Sequence, residues 1–166
     1  MRIDVLPDAD AVALRAAQWL AAEARASVAA RGRFALAVSG GTTPSAMLRL
    51  LTAEDVPWPS VHLFQVDERV APAGHPDRNL TQLREALLSR VALPTGNLHA
   101  MPVEESDLAR AAGRYAHALA TWAGTPPVLD VVHLGLGSDG HTASLVPGDP
   151  VLDRADTDVA VTGAYQ

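Results

Sequence analysis

"FALAVSGGTTPSAMLRLL", residues 34–51, passes from strand to turn to helix in one short stretch. Phe34 to Val38 is apolar without interruption and of strand length, so both faces of that strand demand cover. The run breaks at "SGGTTP". Beyond it the pattern predicts a helix from about Pro44 to Leu51, with Thr43 as N-cap and Pro44 at the first helical position, where its missing N–H is no loss. A buried strand that runs at once into a helix is the building unit of a parallel α/β sheet.

The same alternation extends in both directions. Upstream, Arg2 to Leu6 alternates polar and apolar residues and predicts a short strand at a sheet edge. Asp8 or Asp10 can cap the helix that follows, in which Val12, Ala16, Leu20, Ala24 and Val28 recur at helical spacing until Gly32 ends it. Downstream, "VHLFQV" (61–66) is a second buried strand and leads into "DERVAPAGHPDRN". Leu80, Leu83 and Leu87 mark a helix capped by Asn79, and Asn97 to Met101 reads as a short strand. Leu108, Ala111, Ala112, Tyr115, Leu119 and Trp122 mark another helix; Leu129 to Leu134 is a strand, and Asp158 to Val161 reads as one more. The expected fold is α/β: an open, mostly parallel, Rossmann-like sheet with helices on both faces. No repeat or low-complexity linker interrupts it, so residues 1–166 read as one domain.

Composition narrows the function. The chain is 48% hydrophobic, enough for a sizeable core. Its net charge of -6 and lack of any basic stripe argue against nucleic acid as a partner. Cysteine is absent, which removes thiol nucleophiles and cysteine-based metal sites; lysine is absent too, which removes Schiff-base chemistry. The start, "MRIDVLPDAD", does not read as a signal peptide, and no apolar run reaches membrane-spanning length. A cytoplasmic protein with no membrane partner is the expectation.

In open α/β sheets ligands sit beyond the carboxyl ends of the strands, and three loops there carry chemistry. In the first, Ser39, Gly40, Gly41 and Thr42 let successive N–H groups converge at a helix start, which suits a phosphate; a tight turn whose hydroxyls only cap the helix fits the same residues. In the second, Asp67, Glu68 and Arg69 precede His75, Asp77, Arg78 and Asn79. Arginine there suits a phosphate or a developing oxyanion, although such a cluster also fits a solvated strand end. The third, "GLGSDGHTASLVPG" (135–148), has glycines at the G-x-G-x-x-G spacing, but Pro147 and Pro150 leave scarcely one turn for the helix a dinucleotide requires. Gly137 instead lets the backbone pass close to a ligand while Asp139 and His141 face the crevice. No H-x-x-x-H or H-E-x-x-H pattern occurs, so no metal site is expected.

Taken together, "SGGTTP", "VDERVAP" with "HPDRN", and "GLGSDGHTASLVPG" resemble the 6-phosphogluconolactonase family in order and spacing. The resemblance implies hydrolysis of 6-phospho-D-glucono-1,5-lactone to 6-phosphogluconate in the pentose phosphate pathway, without metal or organic cofactor, by a monomer or homodimer whose partner is the phosphorylated sugar lactone. It also implies an incomplete C-terminus, since family members are longer. Related glucosamine-6-phosphate deaminases carry a glutamate where Val146 stands here, and an apolar side chain cannot shuttle a proton. The family commonly has serine at the position of Arg78. A sugar-phosphate-binding domain without catalysis is the other alternative, but Asp139 and His141 are both retained.

An imidazole, with an ordinary pKa near 6.5, suits the base that activates water against a lactone carbonyl. His141 is assigned that role. Asp139 supports it, with Asp67 as the competing carboxylate. The phosphate is expected on Gly40, Gly41 and Thr42, with Arg69 or Arg78 pairing its oxygens.

Overall fold

The computed structural model describes residues 2–164. Its elements run α1 (Ala9–Arg31), β1 (Phe34–Val38), α2 (Thr42–Leu51), β2 (Val61–Gln65), α3 (Asn79–Ala86), β3 (Leu98–His99), α4 (Leu108–Ala123) and β4 (Val131–Val132), with short 3-10 turns between them. All strand pairings are parallel, in the order β3-β2-β1-β4. Phe34 pairs with Val61 and Val38 with Gln65, while Leu36 lies opposite Val131.

β1 and β2 are buried at every position because helices cover both faces. On one side Phe34, Leu36, Val38, Val61 and Leu63 pack with α1, α2 and α3; on the other Ala35, Ala37 and Phe64 meet Tyr115 and Leu119 of α4. Each large apolar side chain removed from water there contributes about 1.5–3 kcal/mol. Tyr115 adds a specific tie: its hydroxyl donates to Gln65 O and accepts from Gln65 N, both at 2.8 Å. Burial raises the phenol's pKa, so the group stays neutral and able to donate.

Several local expectations are corrected. The N-terminal alternation forms no strand; Ile3 and Val5 are exposed, because alternation without a core to face provides no burial. In α1 Leu20 and Ala24 are buried as predicted, joined by Ala13, Ala17 and Ala21, with Ala16 and Val28 packed against them, but Val12 is exposed. Asp8, rather than Asp10, caps α1, accepting from Ala11 N at 2.8 Å. Thr43 is inside α2, whose N-cap is Gly41 at φ 112, a backbone that favours glycine. Asn79 is likewise inside α3, where Arg78 is the N-cap. β3 and β4 are shorter than predicted, and Asp158 to Val161 forms no strand.

The order of strands places the site. From β1 the chain steps outward to β2 and β3, then returns to lay β4 on the opposite side of β1. The loops leaving β1 and β4 therefore diverge, which opens a crevice at their carboxyl ends.

Candidate active site

At that crevice the three loops enclose one cavity of about 380 Å³, whose lining includes Ser39, Gly41, Asp67, Arg69, Gly137 and His141. The loops are fastened to one another. Ser39 Oγ donates to His133 O at 3.1 Å, joining the first loop to the third. Ser144 Oγ donates to Asp67 Oδ2 at 2.6 Å, joining the third to the second. Asn79 Nδ2 donates to Asp67 O and to Oδ1, at 3.0 and 3.2 Å.

His141 and Asp139 form a dyad on the loop after β4. Asp139 Oδ1 lies 2.5 Å from His141 Nδ1 and also accepts the His141 backbone N–H at 3.2 Å. The imidazole beside it holds the Asp139 carboxyl below its ordinary range, chiefly through that side-chain hydrogen bond. An ionised carboxylate only accepts, so it selects the Nδ1–H tautomer and leaves Nε2 as the basic nitrogen. Gly137 makes the arrangement possible: a Cβ there would stand 2.3 Å from His141 Nδ1 and 2.8 Å from Asp139 Oδ1. Its N–H donates to His141 O at 2.8 Å, and Gly140 N–H donates to Gly137 O at 3.0 Å, so the loop closes on itself. Ala143, at φ 51 with a Cβ, is held in the left-handed region in the cavity wall.

Asp67 lines the cavity but has both carboxylate oxygens engaged by Ser144 and Asn79, an arrangement suited to holding loops in place. Gly40 is packed directly against Asn79, whose Oδ1 would lie 1.9 Å from a Cβ at position 40. Gly41 N–H already donates, to Gln82 Oε1 at 3.0 Å. Thr42 is exposed in the first turn of α2, outside the cavity lining. Arg69 is exposed and lines the cavity, and its guanidinium has no ion-pair partner among the described residues.

Arg78 requires a correction. It is 1% exposed, lies outside the cavity lining, and its Nη1 donates to Ala71 O at 2.9 Å and to Glu104 Oε1 at 2.7 Å. Its Nε sits 3.2 Å from Glu68 Oε2. The guanidinium is thus committed inside the protein and unavailable to a phosphate. Glu68 is no solvated strand-end charge either: its side chain is fully removed from solvent. It accepts the backbone N–H groups of Asn79 and Leu80 at 2.8 and 2.9 Å, capping α3 from another loop. Burial pushes its carboxyl up, but hydrogen bonds from Gln65 and from the N–H groups of Arg69, Leu80 and Asn79 outweigh that and hold it below the ordinary range. Sequence reasoning missed Glu68 and Gln82. Both act through contacts with another loop, and no local pattern signals them. Among the described residues no cluster of metal-ligating side chains occurs, and no helix is long and apolar enough to cross a membrane.

Residues 7–165 match the profile described as glucosamine-6-phosphate isomerases/6-phosphogluconolactonase. A 6-phosphogluconolactonase of a Nostoc species is 37% identical over 96% of this chain and 68% of its own length. The corresponding protein of Mycobacterium tuberculosis is 40% identical, with the same shares covered. Among solved structures, a 6-phosphogluconolactonase from Shewanella baltica superposes with a TM-score of 0.82 at 29% identity, over 95% of this chain and 67% of that one. The chain therefore spans about two thirds of the length of these relatives. Fold, loop motifs and relatives agree: the chain belongs to the glucosamine-6-phosphate isomerase/6-phosphogluconolactonase family.

Proposed function

We propose that this chain carries the hydrolytic site for 6-phospho-D-glucono-1,5-lactone, releasing 6-phosphogluconate. The observation that carries the reading is the shared cavity: His141, held by Asp139, and the Ser39–Gly41 turn line one space at the switch point of the sheet. The Nostoc and Mycobacterium tuberculosis relatives, both 6-phosphogluconolactonases, support it.

In the proposed reaction His141 Nε2 takes a proton from water as the water oxygen attacks the lactone C1 carbonyl. Asp139 keeps the ring oriented and stabilises the imidazolium that forms. Collapse of the tetrahedral intermediate breaks the bond from C1 to the ring oxygen, which receives the proton back from Nε2. Charge on the carbonyl oxygen needs a donor. The N–H groups of Gly137, Gly140 and His141 are already used within the loop, which favours Arg69, unpaired among the described residues. The phosphate would sit at the Gly40–Gly41 turn. Asp67 holds the loops together.

Val146 favours the lactonase over a deaminase, since the side chain at that position can carry no proton. The compartment proposed is the cytoplasm; a chain without cysteine needs no oxidising environment. The test is a pH-stat or coupled assay on freshly made 6-phosphogluconolactone, measured against its spontaneous hydrolysis. Rates above that background, lost in His141→Ala with the fold intact, are expected. A variant with near-normal turnover would refute the assignment of the base.

A further inference from the structure

The Gly41 amide, on which recognition of an anion depends, is occupied by another part of the same chain. Gln82 sits in α3, half-buried and in the cavity lining. Its Oε1 accepts the Gly41 N–H at 3.0 Å, and its Nε2 donates to Pro76 O at 3.2 Å. Gly41 is the N-cap of α2, so its N–H has no place in the helical ladder and is free to serve any acceptor in the cavity. The acceptor it has is a neutral carboxamide on a long side chain.

We infer that Gln82 is a resident competitor for the anion, a specificity residue that holds the Gly41 N–H until a phosphate oxygen displaces it. The inference rests on the reading of the Gly40–Gly41 turn as the phosphate seat. A hydrogen bond to an ionised acceptor is about twice as strong as one between neutral groups, so a phosphate gains by the exchange. A neutral hydroxyl offers no more than the carboxamide and gains nothing. Gln82 thereby discriminates phosphorylated from unphosphorylated ligands, and its resting contact keeps the turn shaped for the exchange. The rotation costs little beyond the bond to Pro76 O, which lies at the exposed end of the side chain.

The rival role is that of a brace, with Gln82 simply joining the Gly41 turn to the loop at Pro76. The two roles predict opposite effects. The experiment is a titration of the full chain with inorganic phosphate, followed by the Gly41 amide resonance and by calorimetry. Gln82→Met preserves the packing of the side chain but cannot compete as an amide acceptor, so it should bind phosphate several-fold more tightly than the wild type. Gln82→Glu keeps an acceptor but sets a negative charge at the seat, and should weaken phosphate binding by roughly tenfold or more. Thermal unfolding of each variant establishes that it is folded. Phosphate binding by Gln82→Met that is unchanged or weaker overturns the inference, as does a wild-type Gly41 resonance that phosphate leaves unmoved. The lactone assay separates this from the proposed reaction. Hydrolysis with an unmoved Gly41 sinks the exchange alone; phosphate exchange without hydrolysis supports the exchange and sinks the reaction alone.

Discussion

Gly137 and His141 are in such close contact that a single added methyl group would collide with the imidazole, at 2.3 Å from both Cε1 and Nδ1. Gly137 is not at positive φ, so an alanine there is acceptable to the backbone and objectionable only to the dyad, chiefly to the ring. Gly137→Ala should therefore push the imidazole aside without unfolding the loop. A misplacement of about 1 Å costs on the order of 10²-fold in rate. The expected outcome is a fall in kcat of that size with little change in Tm, read by the lactone assay and by thermal unfolding. Unchanged kcat would show that the ring has no part in the chemistry.

Asp139→Asn tests the other half of the dyad. The carboxamide has nearly the same shape, but it can offer its NH2 group to Nδ1 and so stabilise the wrong tautomer. Loss of general-base efficiency of about 10²-fold in kcat is expected, with KM nearly unchanged because the carboxylate is assigned no contact with the phosphate. Asp67→Asn supplies the contrast. Its oxygens are tied to Ser144 and Asn79, so the expected effect is a modest loss of stability in which rate follows the folded fraction. If Asp67→Asn loses more kcat than Asp139→Asn, the two carboxylates have been assigned the wrong way round.

The parts of this architecture that depend on one segment's own pattern were legible. Phe34–Val38 and Val61–Gln65 are continuous apolar runs because both faces are covered, and Asp8 and Gly32 bound α1 through contacts within a few residues. What failed around the site was non-local. Asn79 looks like a cap because α3 starts there, yet the N–H groups of Asn79 and Leu80 are satisfied by Glu68, from the loop after β2. Arg78 looks like a phosphate ligand because arginine usually is exposed, and its burial beside Glu68 leaves no periodic trace. The contact of Asp139 with His141 was legible because the residues that meet are two apart.

Arg78→Met isolates that buried pair. Removing the guanidinium leaves the Glu68 charge inside the protein with its N–H donors but without its counter-ion, a change that costs about 3–5 kcal/mol for comparable buried pairs. Urea unfolding should register most of that loss, and Arg78→Met with Glu68→Gln should recover part of it. KM of the folded single variant should match the wild type. A raised KM with unaltered stability would return Arg78 to the substrate.

Acid sensitivity should originate in two histidines on the α4 side of the sheet, outside the cavity lining. His62 Nδ1 lies 3.2 Å from His99 Nε2; His62 stacks near Trp122 with ring centres 3.8 Å apart, and His99 on Phe64 at 4.3 Å. Burial lowers the pKa of both, Arg33 adding to the effect on His62 and the His62 charge to that on His99. The folded state therefore holds these rings neutral while the unfolded chain takes up protons at the ordinary value of 6.5. Since the unfolded state binds more protons in that window, stability is present above pH 6.5 and declines as the pH falls below it. Tm should drop between pH 7 and 5, by roughly 2–4 °C for each kcal/mol lost. His62→Gln combined with His99→Gln should flatten the slope to the share left by His133, which burial also pushes down. An equally steep slope in that double variant would place the acid sensitivity elsewhere.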